Sequence, residues 1–110
     1  MNWIALEDGS QIEKMIENPQ DSIIFKHSTR CSISLMAKKR IEMDSDLIPP
    51  GVDCYFLDLL KYRNLSDLIA ERFHVHHESP QLLAIKAGEC ILDQSHGDIS
   101  IDEVVIELEK

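Results

Sequence analysis

The chain predicts an α/β fold with helices on both faces of a small mixed sheet of about four strands. Three observations carry that reading. Short apolar runs, too brief to be helices, alternate with longer segments of helical periodicity, which implies parallel strands joined by right-handed crossovers. Near the end, two runs flank Ala87-Gly88-Glu89, and such a hairpin adds antiparallel strands. No internal repeat, linker or low-complexity tract divides the 110 residues, so one domain over residues 1–110 accounts for the chain.

Taken in order, Ser10-Gln11-Ile12-Glu13 reads as a capping box opening a helix with Ile12, Met15 and Ile16 on one face. Asn18-Pro19 stops it. Ser22 to Lys26 is a buried-type strand. A second helix runs from Arg30 or Cys31 toward Asp46. Its predicted apolar face is Ile33, Met36, Ala37 and Ile41, with Lys38, Lys39 and Arg40 mostly in water. Pro49-Pro50-Gly51 turns the chain into a second strand, Val52 to Leu57, with Asp58 at its end. Asn64 or Ser66 caps a third helix carrying Leu65, Leu68, Ile69 and Phe73 on one face. His74 to Ser79 is a loop leading to Pro80. The hairpin strands are Leu82 to Lys86 and Cys90 to Gln94. Ser100-Ile101-Asp102-Glu103 is a second capping box, opening a last helix with Ile101, Val104, Val105 and Leu108 inward. The expected order is α-β-α-β-α-β-β-α.

A net charge of −9 argues against general binding to nucleic acid or to an anionic membrane surface, both of which are held mainly by Lys and Arg. No apolar run is long enough to span a bilayer and no signal peptide is evident, so the expected location is cytoplasmic, with the three cysteines as free thiols. Their uneven spacing, without Cys-x-x-Cys or Cys-x-x-His, makes no metal site.

The stretch Phe25-Lys26-His27-Ser28-Thr29-Arg30-Cys31-Ser32-Ile33-Ser34 is where chemistry is expected. A strand ends, a polar turn follows, and Cys31 stands at the start of a helix. The unpaired amides there carry partial positive charge and favour a thiolate, which is the nucleophilic form. An inert buried thiol is the plain alternative. Ser28 or Thr29 is the candidate N-cap. Thr29 or Ser34 could also donate to the thiolate, and Lys26 and Arg30 read as surface charges able to lower its pKa. His27 reads as a surface histidine that could tune Cys31. His74, His76 and His77 read as solvated loop residues, and Cys54 and Cys90 as core thiols or partly exposed spectators. A dithiol cycle needs a second cysteine one turn after the first, and that position is Ser34. The chemistry left is monothiol exchange, which depends on thiolate fraction, nucleophilicity and access.

A strand, a cysteine opening a helix, and a proline just before a terminal hairpin resemble the thioredoxin fold, a three-layer α/β/α sandwich. In that family the proline is cis and lies beside the cysteine; the resemblance makes Ser79–Pro80 that bond. The stretch from Phe25 to Ser34 resembles, more narrowly, the YtxJ family of monothiol bacilliredoxins, whose usual motif is Thr-Cys-Pro-Ile-Ser. The likeness runs from Trp3 to the last helix. Arg30 stands where the motif has Thr, and Ser32 where it has Pro; Ser32 removes a rigid residue from the first helical turn.

The resemblance implies a cytoplasmic stress-response oxidoreductase that removes bacillithiol from mixed disulfides on other proteins. Its partners would be S-bacillithiolated proteins and a low-molecular-weight thiol, with bacillithiol as co-substrate and no tightly bound cofactor. A monomer or weak dimer is expected. Cys31, Ser34 and Thr29 would be the catalytic residues. Arg30, Ser32, Ser79 and Pro80 would bind substrate, Arg30 through the malate carboxylates of bacillithiol and Pro80 by leaving adjacent backbone to pair with an extended segment. A non-catalytic thioredoxin-fold interaction or redox-sensing module is the alternative. An iron–sulfur role is disfavoured, because Cys31-Ser32-Ile33-Ser34 departs from the Cys-Gly-Phe-Ser pattern of monothiol glutaredoxins.

Overall fold

The structure is a computed structural model, described here for residues 1–18 and 20–110; Pro19 of the predicted Asn18-Pro19 stop lies outside them. Five strands form one sheet in the order β1-β3-β2-β4-β5, one more than the roughly four expected. They are β1 (Ile4–Ala5), β2 (Ser22–His27), β3 (Asp53–Asp58), β4 (Gln81–Lys86) and β5 (Glu89–Ser95). Four helices connect or cover them: α1 (Gly9–Glu17), α2 (Ser32–Met43), α3 (Arg63–Phe73) and α4 (Ile101–Leu108). β1 and β2 both run parallel to β3, whereas β4 is antiparallel to β2 and to β5. The extra strand, β1, is two residues long and carries no periodic signal. Its backbone pairing to Tyr55 and Phe56 alone defines it.

β2 lies at the centre and all six of its residues are buried. Its side chains alternate between two cores, as a strand covered on both faces requires. Ile23 and Phe25 join Ala37 and Ile41 of α2 and Val104 and Leu108 of α4. Ile24 joins Ile12 and Met15 of α1 and Leu65, Ile69 and Phe73 of α3. The hairpin closes on Ala87-Gly88, both with positive φ (53° and 76°), the conformation that two-residue loops favour.

Several local expectations are corrected. α1 is capped by Asp8, which accepts from Ser10 N–H at 3.1 Å, and the box is completed by Gln11, which accepts from Asp8 N–H at 3.0 Å. Ser10 is therefore inside the helix rather than at its cap. The N-cap of α3 is Tyr62, ahead of both Asn64 and Ser66. Ser100 caps α4 by position, but its side chain makes no capping bond. Gln94 bridges instead, accepting from Ser100 N–H and donating to Glu103, both at 3.0 Å. α2 ends at Met43, and a separate 3-10 turn covers Ser45–Leu47. The buried face of α2 is Ser34, Ala37 and Ile41, while Ile33 and Met36 are 52% and 63% exposed. Ser34 takes the inward place expected of Ile33 because two hydrogen bonds draw it there.

Candidate active site

Cys31 is itself the N-cap of α2, with extended backbone (φ −106°, ψ 121°), so neither Ser28 nor Thr29 holds that position. Its carbonyl accepts from Leu35 N–H at 3.0 Å and its own N–H donates to Ser28 at 3.1 Å, which closes the turn through Thr29 and Arg30. Its side chain makes no capping bond and the residue is partly exposed. The residue stands at the positive end of the helix dipole, where the first-turn amides lack intrahelical partners. Thr29, Arg30 and Ser32 are exposed around it.

Ser34, three residues on, is wholly buried. Its Oγ accepts from Ser28 N–H at 3.0 Å and lies 2.6 Å from His27 Nδ1. This ties the end of β2, the turn before Cys31 and the first turn of α2 into one unit. His27 is not a surface residue: it is 2% exposed, packed 5.6 Å from the Phe25 ring and 5.3 Å from that of Phe56. Trp3 stacks behind Phe25 at 5.9 Å. Burial lowers the proton affinity of His27, and Lys38 lowers it further, against the opposing pull of Asp58 and Glu42.

Lys26, the neighbour of His27 on β2, is likewise no surface charge. It is fully buried on the opposite face of the sheet. Its ammonium donates to His77 Nδ1 at 3.3 Å, and Ser66 of α3 lies 3.0 Å from the same nitrogen. Burial pulls the Lys26 pKa down to about 8. A lysine can only donate, so His77 accepts there and is neutral. Burial, then Lys26 and Arg63, hold its proton affinity below the ordinary value. His77 thus departs from the solvated reading, whereas His74 and His76 are exposed as expected.

The Ser79–Pro80 bond is cis. Lys26 pairs with Gln81 in the β2–β4 ladder, so Pro80 falls next in register, beside His27 at the sheet end where Cys31 lies. Buried Gln81 holds the preceding loop, donating to the His76 carbonyl at 2.9 Å. A third connection reaches the same end: Leu59 N–H donates to the His27 carbonyl at 2.9 Å, and Leu60 beyond it is 53% exposed. Cys54 is buried and Cys90 partly so; burial pushes both thiols up to about 11, away from the reactive thiolate. Among the described residues no cluster of three or more His, Cys, Asp or Glu is placed to hold a metal, and no helix is long and apolar enough to cross a membrane.

Sequence reasoning put Cys31 at the start of the helix and Ser34 one turn on, but missed the burial of Lys26 and His27. The available signal was the strand itself. A central strand covered on both faces buries its last residues as well as its apolar ones.

Several solved structures share this fold. One, described as a candidate oxidoreductase with a thioredoxin fold, superposes with a TM-score of 0.80 at 33% identity, covering 97% of this chain and 93% of that one. A thioredoxin from Malassezia sympodialis superposes at 0.74 with 18% identity, over 99% of this chain and 92% of that one. A mutant thioredoxin from Halobacterium salinarum NRC-1 superposes at 0.71 with 11% identity, over 96% of this chain and 87% of that one. The family model for monothiol bacilliredoxin BrxC matches residues 4–104. With a thioredoxin fold, one cysteine opening α2 and a buried serine where a second would stand, the chain belongs to the monothiol bacilliredoxin family of thiol–disulfide redox proteins.

Proposed function

We propose that the protein removes bacillithiol from mixed disulfides on other proteins, with Cys31 as the nucleophile. The Cys31 thiolate attacks the bacillithiol sulfur of a protein–bacillithiol disulfide. That S–S bond breaks, its electron pair leaves with the target protein as a thiolate, and bacillithiol remains on Cys31 as a new disulfide. A second thiolate, from free bacillithiol, then attacks the adduct. It releases Cys31 as thiolate and departs as bacillithiol disulfide. Atoms and electrons balance without a resident cofactor.

The observation that carries this reading is a solvent-reachable Cys31 at the N-cap of α2 followed by Ser34, in a chain matched by the monothiol bacilliredoxin family. With no cysteine one turn on, the adduct is cleared from outside. The exposed Arg30 is available to the malate carboxylates of bacillithiol, with Thr29 and Ser32 lining the same lip. The Ser79–Pro80 edge and the exposed apolar groups Ile33, Met36 and Leu60 offer contact to the protein part of the substrate. A cytoplasmic location fits three free thiols.

The test uses the Cys54→Ser/Cys90→Ser protein and a bacillithiol-modified target, followed by mass spectrometry. The expected result is one bacillithiol adduct on Cys31, discharged by free bacillithiol, and no transfer by Cys31→Ser. Transfer at an undiminished rate by Cys31→Ser would overturn the assignment.

A further inference from the structure

Ser34 is a buried hydroxyl with two partners and a single hydrogen to give. Ser28 N–H can only donate, so at 3.0 Å the oxygen accepts there. The second contact is 2.6 Å to His27 Nδ1. Burial favours a neutral His27, and in the tautomer with Nδ1 as acceptor the hydroxyl hydrogen goes to the ring. Phe25 and Phe56 pack against the ring, with centroids 5.6 and 5.3 Å away. Cys31 is the N-cap and Ser34 the third residue of the helix, the pair of positions whose side chains share the first turn. While His27 takes the hydrogen, Ser34 has none to offer the sulfur.

We propose that His27 is a positioning residue for Cys31 that acts through Ser34. Neutral His27 draws the Ser34 hydroxyl hydrogen to Nδ1. When His27 takes a proton from solvent, Nδ1–H becomes the donor, Ser34 accepts from both Ser28 and His27, and its own hydrogen turns to the Cys31 thiolate. Ser34 neither gains nor loses a proton.

The charged groups around the ring are Lys38 and Glu42 of α2 and Asp58 of β3. Lys38 is tied to Glu42 at 3.3 Å, and the Asp58 carboxylate accepts from Leu60 N–H at 3.1 Å. The group whose charge changes in the exchange cycle is Cys31. Thiolate on Cys31 and proton on His27 favour each other, and two such sites titrate as a pair. Once Cys31 is blocked as a disulfide, the thiolate is gone and His27 returns its proton to solvent. The proposal rests on the reading of Cys31 as the exchanging thiol, and extends it by giving the site a built-in extension of thiolate toward acid pH.

The test is the rate of Cys31 alkylation by iodoacetamide from pH 4.5 to 9 in the Cys54→Ser/Cys90→Ser protein, compared with added His27→Asn, Ser34→Ala, and both. Asn offers a fixed acceptor near the Nδ1 position and cannot titrate. The expected parent profile has an acid shoulder. His27→Asn and Ser34→Ala should each remove it, lowering the rate at pH 5.5 by about tenfold, one pKa unit's worth, with little change at pH 9. The double variant should lose no more than either single one. Profiles that differ only by a constant factor, or losses that multiply, would overturn the coupling. Should the variants not fold, NMR titration of His27 in the parent decides: its pKa must fall when Cys31 is alkylated, and an unchanged value sinks the proposal. Bacillithiol transfer through Cys31 without the shoulder defeats this inference alone. A shoulder without transfer leaves the coupling standing and defeats the exchange reading.

Discussion

Lys26 is the residue whose replacement says most about how this sheet end is held. It is fully buried, with an ammonium group whose pKa lies at about 8 in place of 10.5. At 1.36 kcal/mol per unit, the folded protein at pH 7 bears a cost of about 3 kcal/mol for keeping that charge inside. Lys26→Met keeps an unbranched apolar stem of similar length and removes the cost. It also removes a charged hydrogen bond to His77, worth about 1.5–3 kcal/mol, although Ser66 still reaches that nitrogen. The net change at pH 7 is the difference of two similar terms, a stabilisation of about 1 kcal/mol.

The pH dependence is the sharper quantity, because the offset cancels. Between about pH 8 and 10.5 the unfolded chain still holds the proton that the folded chain has released, so this lysine makes stability rise with pH. Wild type should therefore gain between about 2 and 3 kcal/mol on Lys26→Met from pH 7 to pH 10. Urea unfolding of both proteins, with thiols kept reduced and Trp3 fluorescence as the signal, measures it. Other titrating groups are common to the pair and drop out of the difference. Parallel stability profiles for the two proteins over that interval would refute the reasoning, since they would mean that Lys26 keeps an ordinary pKa and that its burial is relieved by something else.

Three further changes test the hairpin and the loop beside the site. Gly88→Ala should cost more than about 1 kcal/mol by urea unfolding, because φ is +76° and the new methyl would lie 2.8 Å from the Ile16 carbonyl oxygen, a backbone atom with nowhere to go. At the adjacent Ala87, whose φ is +53°, glycine should have the opposite sign and stabilise by up to about 1 kcal/mol. Gln81→Leu strips the His76 carbonyl of its side-chain donor and should cost about 1–3 kcal/mol, with faster amide exchange through residues 74–80 than elsewhere in the sheet.

Most of this architecture was legible because period and punctuation agree. Apolar runs of strand length, the stripes of α1, α3 and α4 and the Ala87-Gly88 turn each fall in the structure within a residue or two of where the sequence puts them, whereas Ile33 and Met36 of the α2 stripe face solvent. β1 was invisible, since two residues have no period, and only their partners Tyr55 and Phe56 make them a strand. Helix starts were misread where several capping residues compete. Asp8 displaced Ser10 because its own Gln11 completes the box, and Cys31 took the cap because Ser28 is held outside, its N–H on Ser34 and its carbonyl accepting from Cys31. No local pattern reports those choices.

The largest misreading was Lys26-His27, and it has a single cause. A polar pair after Ile23-Ile24-Phe25 looks like a strand running out into water. Its partners are 7 and 51 residues away and cannot be inferred from the run itself. Adjacent residues of a strand point to opposite faces, so one dipeptide serves two elements. His27 fastens the first turn of α2, which presents Cys31, while Lys26 fastens the loop that leads to Pro80. An apolar pair here would satisfy the strand, yet it would leave Ser34 with Ser28 N–H alone and His77 Nδ1 with Ser66 alone. The departure from an ordinary core strand thus lies where the helix presenting Cys31 and the proline loop are held to one sheet end, which is where local rules are expected to give way to function.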